Sequence, residues 1–227
     1  MRLAETVLVA ALLCAAAPPV AEGKPAVAWS AARPIVCVVP LGGYEKSMVP
    51  TVTRGIEYLY HLEVRLLEPR ALPSSAWYSP RRRYRAEKLL AYLDAEVLPG
   101  SGCDLVMGFT SVDISTTKDE HPDWGILGLA WIGGPSGVVS THRLGRRVGA
   151  RSKAMRAVKV MNHELGHALG LDHHDVTGCL MEDAGGTVKT VDRETGLLCE
   201  ESRRDIEELR GFPLPALAAF DWEAVLD

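Results

Sequence analysis

Short runs of aliphatic and β-branched residues take turns along the chain with longer stretches in which apolar positions recur every three or four residues, a pattern that predicts strands joined by helices. PIVCVVPL predicts a buried strand. TVTRGIEYLYHL follows with Val52, Ile56 and Leu59 on one helical stripe, and EVRLL predicts a second strand. In SPRRRYRAEKLLAYLDAEVL, Tyr84, Leu89, Leu90 and Leu93 mark the inner face of a helix that ends at Pro99-Gly100, and CDLVMGFT gives a third strand. Strand, helix, strand, helix, strand implies a mostly parallel sheet with crossover helices. GILGLAWI and GVVSTHRL, separated by Gly133, Gly134, Pro135 and Ser136, predict a hairpin or an edge of that sheet. From Ser152 a long helix carries Met155, Val158, Met161, Leu165 and Leu169 on one stripe and stops near Gly170, a residue suited to the left-handed turn after a helix. The rest is irregular except for a helical stretch from Glu200 to Arg210 and a proline-containing tail.

The beginning of the chain changes the picture. In MRLAETVLVAALLCAAAPPVAEG, an apolar stretch from Val7 to Ala17 follows Arg2 and runs into small residues and prolines. It is too short for a membrane span and suits a secretory signal over residues 1–23, cleaved between Ala17 and Lys24. The alternative is an apolar N-terminal element of the mature fold. Cys14 follows Leu13 inside the apolar stretch, where lipidation would want a small residue before the cysteine. The expectation is one soluble domain over 24–227, secreted or periplasmic, with an upper part over 24–170 and a lower part over 171–227.

Composition adds limits. The chain has 227 residues, 47% of them hydrophobic and 24% charged, and its net charge of −4 with scattered signs gives nucleic acid no footing as the main partner. The basic run Arg81, Arg82, Arg83, Arg85 and Lys88 reads as the solvated side of its helix. With Cys14 removed, Cys37, Cys103, Cys179 and Cys199 remain, enough for two disulfides in any of three pairings or for thiolate metal ligands.

The chemistry lies in HELGHALGLDHHDVTGCLM. His163 and His167 are four residues apart, so on a helix both imidazoles leave the same face, roughly opposite the apolar stripe. Glu164 stands to one side, placed to reach water at a metal without ligating it. Gly170 lets the chain turn back and His173 follows three residues later, completing H-E-x-x-H-x-x-G-x-x-H: three neutral nitrogens for zinc and an open fourth position.

With that motif the sequence resembles the archaemetzincins of the metzincin clan of zinc endopeptidases. Their pattern continues past the third histidine with a cysteine, four residues, a second cysteine, one residue and a methionine, then seventeen residues and Cys-x-x-Cys. Here His174, Cys179, Met181, Cys199 and Ser202 occupy those positions with every spacing kept, so two of the four cysteines are replaced, by His174 and Ser202. The resemblance is specific from about Asn162 to Ser202 and looser upstream. It implies an α+β zincin or metzincin fold: a twisted, mixed but mostly parallel sheet over the active-site helix, with a small irregular C-terminal subdomain. It also implies Met181 in a turn below the metal. By itself Met181 reads as a core methionine.

The family places a structural zinc where His174, Cys179 and Cys199 stand. Ser202 is a poor fourth ligand, because an un-ionised hydroxyl binds zinc weakly beside thiolate or imidazole. A Cys179–Cys199 disulfide and one catalytic zinc are therefore expected, with a second zinc as the alternative. The implied activity is hydrolysis of peptide bonds in a peptide or protein substrate, as an endopeptidase or in an aminopeptidase-like manner, by a monomer with Glu164 as general base. Gly125 to Ile132 and Gly137 to His142 are candidate edges for pairing with substrate, and Asp113, His61, His121 and His142 read as structural or surface groups. The competing classes are an exported zinc-binding protein of the same fold that cleaves nothing and an exported binding or inhibitor module. A purely structural site has no need of Glu164.

Overall fold

The computed structural model describes residues 33–183, 185 and 187–227, so the expected signal segment lies outside the described residues. The first element is β1 (Val36–Pro40), five buried residues whose branched side chains suit a strand covered on both faces. Helix α1 (Val49–Tyr60) has Pro50 in its first turn, where the missing N–H has no intrahelical partner to lose, and is followed by β2 (Val64–Leu66). Next come β3 (Trp77–Tyr78), β4 (Arg83–Arg85), α2 (Ala86–Tyr92), β5 (Leu105–Thr110), β6 (Ile114–Lys118), β7 (His121–Gly125), β8 (Gly128–Ala130) and β9 (Ser136–Ser140). The long helix α3 (Ala150–Ala168) precedes α4 (Val188–Arg193), α5 (Glu200–Arg210) and α6 (Trp222–Leu226).

The main sheet has the order β2-β1-β5-β9-β8. Its first four strands are parallel and β8 is antiparallel to β9. Alternation along the strands sorts the core into two layers. Val36, Val38, Met107 and Val139 face α1 and α3, packing with Val52, Ile56, Val158, Met161 and Leu165. Cys37, Val39, Val106 and Val138 face the other way, onto Leu89, Leu90 and Leu93. The expected sheet over the long helix is thus what the chain forms, with β2 at one edge and β8 at the other. Gly137 to His142, the other edge candidate, contains β9, which has β5 on one side and β8 on the other.

A second, four-stranded sheet of order β3-β4-β6-β7 is an addition to the sequence reading. It also corrects that reading at the basic run. Residues 83–85 form β4, parallel to β6, and the helix starts only at Ala86. Arg85 is buried at 8% exposure, and its guanidinium donates to Glu87, Thr117 Oγ1 and the Pro122 carbonyl. Arg83 pairs with Asp113 at 3.2 Å. Arg81, Arg82 and Lys88 remain exposed as expected. Arg85 is buried and Arg83 half-buried because carboxylates and a carbonyl meet them there, which no local periodicity announces.

Two buried cations in α3 fasten the chain that follows it. Arg156 makes a two-pronged contact with Asp192 of α4 at 2.7 and 2.6 Å, and the Lys159 ammonium donates to the carbonyls of Val191 and Glu194. The segment after α3 is therefore held to the helix by charge-assisted hydrogen bonds as well as by apolar packing.

Candidate active site

The last turns of α3 present His163 and His167, and Gly170, at φ 102°, turns the chain back so that His173 meets them. One ring nitrogen from each of the three lies within 4.8 Å of the others. Among the described residues no other group of three or more His, Cys, Asp or Glu side chains converges in this way.

The Nδ1 atoms are already engaged. His163 Nδ1 is 2.7 Å from the Leu180 carbonyl and His167 Nδ1 is 2.8 Å from that of Leu171. A carbonyl only accepts, so each Nδ1 carries the hydrogen and each Nε2 keeps its lone pair. Burial, helped by the neighbouring His167, pushes His163 down to about 3, and burial lowers His167 as well. Both imidazoles are neutral at pH 7. Two neutral nitrogens on rigidly oriented rings and a third imidazole, His173, at the rim fit zinc with a position left open.

Glu164 projects toward the sheet instead of joining the ligands. It is 7% exposed and accepts a hydrogen bond from the Ala130 N–H of β8; burial raises its carboxyl to about 8, against the lowering effect of that bond. Met181 is fully buried beside the ligands. A Cβ added to Gly166 would lie 2.6 Å from its sulfur, and the preceding carbonyl, Leu180, is the one bonded to His163. Gly166 is thus the helix position where the methionine turn approaches, a contact that only packing reveals.

His174 faces away from this group. Its Nε2 is 3.3 Å from Asp205 of α5, and its backbone N–H donates to the Met181 carbonyl. Cys179 and Cys199 form a disulfide with Cα atoms 5.2 Å apart, and buried Ser202 places its hydroxyl 3.5 and 3.2 Å from the two sulfurs. This is the pair expected from the sequence, and the second disulfide joins Cys37 to Cys103. Cys179→Ala combined with Cys199→Ala opens a bridge spanning 20 residues and is expected to cost about 3 kcal/mol in urea unfolding. Thiol counting on protein made in an oxidising compartment should find those two sulfurs unreactive before reduction. Free thiols accompanied by two zinc ions per chain would contradict this.

The remaining candidates have structural surroundings. Asp113 is gripped by Arg143 at 2.8 and 3.0 Å, His61 ends α1 in the left-handed conformation, and His121 lies against Trp124. Neither these nor His142 belongs to the histidine group.

The sequence model of Peptidase family M54 matches residues 74–208, more than half of the chain and the whole of the histidine motif. The chain belongs to peptidase family M54. Among M54 relatives, the archaemetzincin of Haloarcula marismortui is 30% identical over 179 residues, covering 75% of this chain and 98% of its own. That of Saccharolobus solfataricus is 29% identical over 185 residues, covering 77% and 93%. The crystal structure of the Methanopyrus kandleri archaemetzincin superposes with a TM-score of 0.69 at 26% identity, covering 81% of this chain and 98% of that one. Family and donor set together make this M54 member a zinc metallopeptidase, and His163, His167 and His173 are the group that could hold its zinc.

Proposed function

We propose that the chain is a zinc-dependent endopeptidase that lays an extended substrate along β8 and uses Glu164 as its general base. The observation that carries this reading is the position of Glu164, bonded to the edge strand β8 on one side and adjacent in sequence to His163 on the other. When bound, zinc supplies Lewis acidity, which acidifies water and polarises a peptide carbonyl. Glu164 accepts the proton from water and returns it to the leaving amine, a task suited to a carboxylate made more basic by burial.

Ser140 N–H donates to the Leu127 carbonyl, so residues 127 and 129 turn their backbone groups toward β9. Those of Gly128 and the carbonyl of Ala130 turn outward, where an extended peptide can pair with them, while the Ala130 N–H serves Glu164. Gly128, Leu129 and Ala130 carry no charge that would anchor a free amino terminus, which favours cleavage within a chain over trimming from its end. The N-terminal pattern and the two disulfides, which persist outside a reducing cytosol, support export.

The test is a peptide library with acetylated amino termini, incubated with the protein before and after removal of zinc by chelation and after its return. Internal cuts that vanish and reappear with zinc are expected. Cleavage confined to peptides with free amino termini would make the enzyme an aminopeptidase, and no cleavage of any substrate would leave a zinc-binding protein without activity.

A further inference from the structure

We infer that Gly128 is a positioning residue for Glu164: the side chain missing from this point of β8 is the space the carboxylate occupies. The inference deepens the peptidase reading and rests on it. A Cβ built on Gly128 would lie 2.6 Å from Glu164 Cγ, 2.6 Å from Oε1 and 2.8 Å from Cδ, closer than such atoms approach one another. Gly128 is not among the residues with positive φ, so its backbone suits any amino acid and only space calls for glycine.

Two residues further along the same strand, and therefore on the same face and edge, the Ala130 N–H holds the carboxylate. Glu164 thus sits against one strand at two points, a hydrogen bond at Ala130 and bare backbone at Gly128. Neither support can retreat easily. The pairs Gly128↔Val139 and Ala130↔Gly137 fix the register of β8, while the fully buried Val158, Met161 and Leu165 fix α3 in the core. A methyl group at 128 therefore leaves the Glu164 side chain as the part that moves, and it rotates away from Ala130 and from the open side of the histidine group.

The experiment compares zinc-loaded full-length wild type, Gly128→Ala and Glu164→Gln on one peptide that the wild type cleaves. Gly128→Ala is expected to keep one zinc per chain and the wild-type melting temperature, to leave KM within about twofold, and to lower kcat by about 10²-fold. A second measurement takes catalysis away: the affinity of the same peptide for zinc-loaded Glu164→Gln, with and without Gly128→Ala. Equal affinities are expected. Tenfold weaker binding in the double variant would mean that glycine makes room for the substrate strand instead, and would overturn the inference. So would wild-type kcat in Gly128→Ala, or a fall in melting temperature with loss of zinc, which would make the residue structural. Wild-type turnover in Glu164→Gln would overturn the general-base reading and the role of Gly128 with it, whereas an inactive Glu164→Gln beside a fully active Gly128→Ala overturns only the latter.

Discussion

Glu164→Gln, as the removal of the proposed general base, is expected to lower kcat by about 10²–10⁴-fold while the protein still carries one zinc. The substitution keeps size and shape, and the amide oxygen can still accept from the Ala130 N–H. Glu164 is outside the three-imidazole group, so zinc affinity has no reason to change. What disappears is a carboxylate whose burial makes it a far better proton acceptor than a free one. Turnover on a cleavable peptide and zinc content by elemental analysis, measured on one preparation, check both halves. Near wild-type turnover would end the mechanism, and zinc loss would mean that Glu164 is a ligand.

The second large effect separates two adjacent histidines. His173→Ala takes away one of three nitrogen donors, and zinc affinity and activity are expected to fall together, by more than the roughly 10–100-fold typical of losing an outer partner of a ligand. His174→Ala is expected to retain zinc, because its ring is directed at Asp205 on α5, and to affect the site only through the packing of α5. Competition with a chelator of known affinity gives the comparison. Tight zinc in His173→Ala with loss in His174→Ala would reverse the assignment.

Much of this protein is legible in local pattern. The convergence of His163, His167 and His173 was, because a helix converts a four-residue interval into a shared face and Gly170 converts a three-residue interval into a returning chain. The parallel strands were too, since β1 and β5 are buried on both faces and read as unbroken apolar runs. The small second sheet was not legible. Its strands are two to five residues long and largely polar, and Arg83 and Arg85 inside it look like surface residues until Asp113, Glu87 and Thr117 are brought beside them. The resemblance carried Met181, which periodicity alone would leave as core, and packing adds that its sulfur needs the bare backbone of Gly166.

The sequence by itself determined the donor set, the helix that carries it and the family, because these depend on residue identity and on intervals of a few positions within one element and its turn. Only the tertiary structure decided which edge strand faces the site, that Cys37 pairs with Cys103, that the His174 ring lies by Asp205, and that Glu164 lies against Gly128 and Ala130. Each of those is a contact between elements distant in sequence, and it is set by how the sheet twists and closes onto α3, which no local interval encodes.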